Sequence, residues 1–285
     1  MNSVYTRRSI INKNYVSKKT KKDLRSLFDY LERRNFENFP KILDINDREL
    51  KTEYIKDINI KDKSKALMEV VSLLHYKTSE YKDVSKNKYK EIYEKISDNI
   101  EYLTNYYNKL ITNIERKTYF SPSEYLVARH FSIILSSLSY SKKELDLWYE
   151  IVESKTKERV VIVHNNLKKE HLLRGEKDYL INWDNYIVDT PVLDLYKFYS
   201  NEGFTEDFEE LYNIYNNTFN LTKEENKLLF ILMSIPKKIE FLTNEIKSSF
   251  NIKKILDVLY KTRSLVTSLE SQIYVAENTD ETKQE

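Results

Sequence analysis

The residues whose types could do chemistry gather between positions 158 and 194. A β-branched run over Arg159–His164 predicts a strand, and a polar loop follows it. Loops held by rigid strands often carry functional sites. The candidate side chains are imidazoles, amides and carboxylates: His164, Asn166, His171, Asn182, Asp184 and Asp194. Groups of these types transfer protons or bind metal ions.

A transition-metal site is one chemistry that these types allow. His164, His171 and Asp184 together would suit zinc or nickel without any thiolate ligand. The simpler interpretation, which we favour, is that both histidines are ordinary hydrogen-bonded residues of the loop.

The order of these residues resembles a known family, the aminoglycoside phosphotransferase and choline kinase group, which includes spore-coat-associated kinase-like proteins. Its pattern is roughly His-Gly-Asp-Leu-His-x-x-Asn-Ile-Leu, then Ile-Asp-Trp-Glu, then Gly-x-Pro-x-x-Asp-Leu. Residues 164–173, 181–184 and 189–195 match these blocks in order and without gaps. The resemblance implies an α+β, two-lobed protein-kinase-like fold, with a reduced N-terminal α+β lobe and a mainly helical C-terminal lobe.

The chain departs from that pattern at the residues that do the chemistry. The family's catalytic Asp falls on Asn166, its loop metal ligand on His171, and its metal-binding Asp on Asn182. A neutral amide has no basic lone pair at neutral pH, so Asn166 cannot serve as general base. Mg²⁺ prefers oxygen ligands that include carboxylates, so an imidazole and an amide replace its ligands poorly.

Two acidic positions of the pattern are retained, Asp184 and Asp194. In the family, the position of Asp194 is mainly structural, because it ties a helix start to the catalytic loop, and His164 orients that loop. The residues that hold the loop in place are therefore retained, whereas the catalytic and metal-binding residues are substituted. This pattern is expected of a pseudokinase. An active ATP-dependent phosphotransferase would need Asp184 as a relocated metal ligand. Mg²⁺ and ATP are expected as cofactors only in that case.

The resemblance also assigns residues outside the loop. Lys18 would contact nucleotide phosphates, with Glu32 on the following helix as its partner, although Arg7, Lys13 and Lys19 compete for the first role. Leu74-His75 and the nearby Thr78 are similar to the helix that opens the family's larger lobe.

The elements that position these residues are expected to form a small lobe over 1–60 and a helical lobe over 61–275. In the small lobe, strands are predicted at 15–16, 41–45 and 50–55, and Leu24, Leu27, Phe28 and Leu31 predict a helix. In the helical lobe, residues 158–190 hold the loop, and 86–116 form a long helix. The polar tail 276–285 is expected to be disordered.

Helix starts in the larger lobe carry local signals. Capping boxes are predicted at Ser121–Glu124, Ser141–Glu144 and Thr222–Glu225. Thr190-Pro191 predicts another start, with Pro191 in the first helical position.

Composition narrows the function further. The 285 residues include two glycines, Gly175 and Gly203, so a glycine-rich phosphate loop cannot be built before residue 175. Without cysteine there are no disulfides or thiolate sites, which is compatible with a reducing cytoplasm. The net charge of +2 creates no global field for nucleic acid or an anionic membrane. We expect a cytoplasmic protein whose partner is an unidentified protein or small molecule.

The sequence is compatible with three functions. We favour a degenerate phosphotransferase-like protein, a pseudokinase that binds a ligand or a protein with little or no phosphoryl transfer. The alternatives are an active small-molecule phosphotransferase and a helical interaction protein. An exposed apolar stripe on the helix 86–116 would favour the last of these.

Overall fold

The computed structural model describes residues 9–11, 14–46, 48–58 and 62–281. The strands are β1 (Ser9–Ile11), β2 (Tyr15–Lys19), β3 (Ile42–Ile45), β4 (Glu49–Glu53), β5 (Glu80–Asp83), β6 (Lys157–Val163), β7 (Leu172–Arg174), β8 (Asp178–Leu180) and β9 (Ile187–Asp189). The α-helices are α1 (Arg25–Arg33), α2 (Lys63–Thr78), α3 (Lys88–Glu115), α4 (Pro122–Arg129), α5 (Phe131–Val152), α6 (Val192–Asn201), α7 (Phe208–Thr218), α8 (Lys223–Ser234) and α9 (Glu245–Glu281).

Contacts divide the chain into two compact units. Residues 1–82 and 157–221 form the first unit, and residues 83–156 and 222–285 form the second. Each unit therefore combines two separate stretches of sequence. The expected lobes, 1–60 and 61–275, differ from these units because α2 and the loop segment share the first unit with the N-terminal strands, and that lobe division stays a prediction.

The first unit begins with an antiparallel four-stranded sheet in the order β1-β2-β4-β3. β2 is an inner strand, and its Lys18 pairs in register with Ser9 on one side and Leu50 on the other. The helix α1 buries Leu27, Phe28 and Leu31. The strands and the helix predicted between residues 15 and 55 are confirmed.

The rest of the first unit builds the loop segment. β6 pairs antiparallel with β9, and β7 pairs with β8 in a short hairpin. The last four residues of β6 are buried, as the β-branched run predicts. α2 packs against both β6 and α7. The loop therefore leaves a buried strand and returns through a hairpin to the start of α6.

The second unit consists of α3, α4, α5, α8 and α9. Among the described residues of α3, Tyr102 is the only large apolar side chain that is exposed. The exposed face of this helix therefore carries no apolar stripe. A search of the described part of the chain found no helix with the length and hydropathy needed to cross a membrane.

Two of the predicted capping boxes are confirmed and one is wrong. The side chains of Ser121 and Thr222 accept the backbone N–H of Glu124 and Glu225, and both boxes are complete. Ser141 instead lies buried inside α5 and donates to the carbonyl of Ser137 at 2.9 Å. The buried face of α5 continues from Leu138 to Leu145 without a break, and that packing outweighs a local start signal.

Two helix ends also differ from expectation. Pro191 is the N-cap of α6 rather than its first helical residue. α9 continues to Glu281, so much of the tail predicted to be disordered is helical, and residues 282–285 lie outside the described part. Extending an existing helix orders one residue for each hydrogen bond gained, whereas starting a helix is unfavourable, so a polar tail can continue a packed helix.

Candidate functional site

Asp194 fastens the loop after β6 to the first turn of α6. Its side chain is fully buried. One carboxylate oxygen accepts the backbone N–H of His164 at 2.7 Å, and the other accepts that of Asn165 at 2.7 Å. The carboxylate thus fixes two successive peptides at the point where the strand becomes the loop.

A histidine of α2 contacts the same carboxylate. His75 Nε2 lies 3.2 Å from Asp194 Oδ2, and its Nδ1 lies 2.6 Å from the hydroxyl of Tyr215 on α7. All three side chains are fully buried. The sequence placed His75 on a helix but did not reveal this contact. The available signal was a polar residue within the apolar pattern of α2.

Asn165 holds the loop in a left-handed turn with φ of 64°. Its side chain donates to the carbonyl of Asn185 at 2.8 Å and accepts from the ammonium of Lys197. Asn165 stands where the family pattern has glycine. Asparagine is among the few other residues that adopt this conformation readily. Asn35 and Asn182 also have positive φ, whereas neither glycine does, so asparagine supplies these turns in a glycine-poor chain.

The two loop histidines are buried and uncharged at neutral pH. His164 donates from Nε2 to the carbonyl of Ile181 at 2.8 Å, and its ring packs 5.1 Å from that of Trp183. His171 donates from Nδ1 to the carbonyl of Asn166 at 2.6 Å. Burial lowers the pKa of His164, and burial lowers the pKa of His171 to about 4.

The transition-metal site considered above is not formed. The rings of His164 and His171 lie 5.9 Å apart, and His171 is turned toward a backbone carbonyl. Within the described ranges, no group of three or more histidine, aspartate or glutamate side chains is placed to hold a metal ion.

Lys18 meets the second block of the pattern. From β2, its ammonium donates to Asn182 Oδ1 at 2.7 Å and to Asp184 Oδ2 at 2.5 Å. The other oxygen of Asp184 accepts the backbone N–H of Lys21 at 3.2 Å. The side chains of Lys18 and Asp184 are only 21% and 10% exposed, so this ion pair is partly withdrawn from water.

Lys22 adds a second cation beside Asp184. Its ammonium donates to the carbonyl of Tyr186 at 2.6 Å and lies 3.6 Å from the centre of that ring. Burial lowers the pKa of Lys22, and the charge of Asp184 opposes this shift. A single carboxylate is therefore faced by two lysine side chains.

No protein-family model matches this chain, and no curated protein is similar to it in sequence. Solved structures are similar to it in fold. An aminoglycoside phosphotransferase from Alicyclobacillus acidocaldarius superposes with a TM-score of 0.66 at 12% identity, covering 95% of each chain. The fold is that of the aminoglycoside phosphotransferases. A glucosamine kinase in complex with glucosamine, ADP and inorganic phosphate superposes at 0.54 with 9% identity, over 94% of this chain and 81% of that one.

These likenesses confirm the kinase-like α+β fold implied by the sequence pattern, and at such identities they show the fold alone. Asn166, at the catalytic position of the pattern, is half-buried, and its backbone carbonyl is held by His171. Its side-chain amide forms no hydrogen bond with any residue the structure describes. That amide is free to contact a ligand but has no charge with which to remove a proton.

The structure does not form the expected pairing of Lys18 with Glu32, because the ammonium of Lys18 is held by Asp184. Glu32 follows the buried Leu31 on α1, and its side chain is exposed. Of the competing basic residues, Lys19 is exposed, whereas Arg7 and Lys13 lie outside the described part of the chain. Nothing local in the sequence marks Asp184 as the partner.

The residues present do not fit the Mg²⁺ ion that the fold implies. Asn182 and His171 offer an amide and an imidazole, and the one carboxylate, Asp184, is already paired with an ammonium. The amide oxygen of Asn182 is turned to that same ammonium. A divalent cation would have to displace Lys18 and would gain a single carboxylate, a poor ligand set for Mg²⁺.

Proposed function

We propose that this protein is a pseudokinase, a phosphotransferase-like fold that binds a ligand or a protein partner with little or no phosphoryl transfer. The observation that supports this most directly is the shared contact of Lys18 with Asn182 and Asp184. The ammonium of Lys18 contacts Asp184, which is the carboxylate that a relocated metal ion would need.

Two separate losses reduce the expected rate. Asn166 provides no base, and the second block provides no pair of acidic metal ligands. Phosphoryl transfer depends almost wholly on positioning and charge neutralisation, so losing these groups costs orders of magnitude. The intact hydrogen bonds of Asp194 preserve the loop without restoring either function.

An active phosphotransferase is the second candidate, and one observation favours it. Asp184 retains a carboxylate whose Oδ1, among the described residues, accepts only the 3.2 Å hydrogen bond from the backbone N–H of Lys21. If Lys18 turned toward a phosphate, Asp184 would become available to a metal ion.

The setting of the protein belongs to the same proposal. The absence of cysteine is compatible with a reducing cytoplasm. The proposed partner is a protein or a small molecule rather than a membrane or a nucleic acid.

A thermal-shift titration with ATP tests the proposal. The protein is heated with nucleotide in Mg²⁺, in Mn²⁺ and in EDTA, because a ligand of the native state raises its stability by mass action. We expect no metal-dependent rise in Tm and no phosphate release. Any rise that persists in EDTA should disappear in Lys18→Met and remain in Lys19→Met, the variant of the exposed neighbour.

The same experiment can overturn the proposal. Metal-dependent ATP consumption that vanishes in Asp184→Ala would establish the active enzyme instead. A metal-dependent rise in Tm without turnover would retain the pseudokinase but contradict the argument that Lys18 takes the place of the metal ion.

A further inference from the structure

The second unit contains a cavity of about 300 Å³ between one face of α5 and one face of α9. Its polar lining residues on these helices are Ser136, Ser137, Tyr140, Arg263, Thr267 and Glu270, and Ser234 at the end of α8 also lines it. On both helices the lining residues recur at the spacing of a single helix face. The volume is at the lower end of the range for small-molecule sites. The candidate site in the first unit shares none of these residues.

The hydroxyl groups in this cavity present acceptors rather than donors. Ser136 donates its hydrogen to the carbonyl of Ile133 at 3.0 Å, and Ser137 donates to that of Ser234 at 2.7 Å. Thr267 donates to the carbonyl of Arg263 at 2.9 Å. A hydroxyl has one hydrogen and two lone pairs, so each of these groups can still accept from a ligand.

Tyr140 and Glu270 continue this acceptor surface. The Tyr140 hydroxyl donates to Glu270 Oε1 at 2.5 Å. Burial raises the pKa of Tyr140, so it remains a protonated donor, and the nearby Glu270 acts in the same direction. Glu270 Oε2 forms no hydrogen bond with the residues the structure describes. This end of the cavity is therefore negatively charged and accepting.

Arg263 gives the other end the opposite charge. Its guanidinium has five N–H donors and no acceptor. The side chain lines the cavity from a solvent-exposed position and is without an ion-pair partner in the described ranges. Arg263 and Glu270 are seven residues apart on one helix, about 10 Å along its axis, so they are too distant to satisfy each other directly.

We infer that this cavity binds a small zwitterion, with its carboxylate on Arg263 and its ammonium on Glu270. The hydroxyl oxygens of Ser136, Ser137 and Thr267 line the same cavity and accept the remaining N–H or O–H groups of the ligand. The buried side chains of Ile133 and Val266 contact the apolar part of the ligand. An anion alone would meet the oxygen acceptors of Glu270 and of the hydroxyl groups, and a cation alone would make no contact with the guanidinium of Arg263.

Three ligands of matched length separate these cases: 6-aminohexanoate, hexanoate and hexylamine. Binding to the full-length protein is measured by calorimetry and by thermal shift at about 10 mM ligand, because only a ligand of the native state raises Tm. We expect 6-aminohexanoate to raise Tm and to bind at least about tenfold more tightly than the other two, since each charge-assisted contact contributes this much.

Two variants locate the binding. Arg263→Gln should weaken 6-aminohexanoate by about tenfold or more, which is the loss expected for one charged hydrogen-bonding partner. Arg129→Gln is the matched control, because Arg129 is an exposed arginine at the end of α4. Ser136→Leu places a larger side chain in the cavity from an exposed position and should block binding while the protein stays folded. The proposal is overturned if 6-aminohexanoate gives no shift, if hexanoate or hexylamine matches it, or if Arg263→Gln binds like the control.

Discussion

The candidate site has two parts that the protein treats differently. Around Asp194, the buried His75 of α2 and two backbone N–H groups of the loop form hydrogen bonds to the two carboxylate oxygens. Around Asp184, one partly exposed carboxylate faces lysine side chains from the small sheet and the loop after it. The first part keeps the acidic residue of the family pattern, and the second has lost one. This difference indicates that the stability of the fold depends on the Asp194 part and that any metal binding would depend on the Asp184 part.

Removing the Asp194 carboxylate should have the largest effect. Asp194→Ala leaves the backbone N–H groups of His164 and Asn165 buried without an acceptor and also leaves His75 without its partner. We expect a loss of about 3 kcal/mol or more in the free energy of unfolding, measured by urea denaturation. Asp184→Ala is the paired control and should lose about 1 kcal/mol or less. Equal losses would show that the two parts do not differ in structural importance.

Asn165 tests the turn next to that carboxylate. Asn165→Ala must keep φ near 64° without the asparagine side chain, so it meets about 1 to 2 kcal/mol of left-handed strain in addition to the lost contacts with Asn185 and Lys197. Asn165→Gly loses the same contacts but has no strain. We therefore expect the glycine variant to be the more stable of the two by denaturant unfolding. If alanine were as stable as glycine, the turn would not require a left-handed residue.

His171 should make stability depend on pH. Burial lowers its pKa to about 4 in the folded protein, against about 6.5 when unfolded. Between these values the unfolded state binds the extra proton, so stability is present above about pH 6.5 and falls by up to about 1.4 kcal/mol per unit as the pH drops. The lowered pKa of His164 acts in the same direction.

His171→Asn removes the His171 part of this slope and restores the residue of the family pattern. Urea denaturation of both proteins across pH 4 to 7, a range of about three units, measures the difference. We expect the wild type to lose stability relative to the variant as the pH falls. Parallel curves would mean that His171 is protonated as easily in the folded protein as in the unfolded one.

Much of the fold could be predicted because its signals are local. Strands, helix faces and two capping boxes are set by residues within one or two turns of each other. The box at Ser141 was wrong because the buried face of a long helix continues through it. The partner of Lys18 could not be predicted, since Asp184 is 166 residues away and nothing near either residue marks the pair. Asp194 could be placed only because the family pattern carried its position.

Lys18→Met should have the smallest effect on stability, and it tests whether Lys18 keeps a metal ion from Asp184. The Lys18–Asp184 pair is partly buried, but Lys22 still faces Asp184 after the substitution, so the free energy of unfolding should change by about 1 kcal/mol. It also leaves Asp184 and the amide of Asn182 without the ammonium they share, and a divalent cation can then bind weakly to them. We expect Mn²⁺ to raise the Tm of Lys18→Met but not that of the wild type or Lys19→Met.

Adding Asp184→Asn to Lys18→Met should abolish that rise. A rise that survived the double substitution would place the metal elsewhere, and a large loss of stability in Lys18→Met would mean that the Asp184 part also holds the fold together.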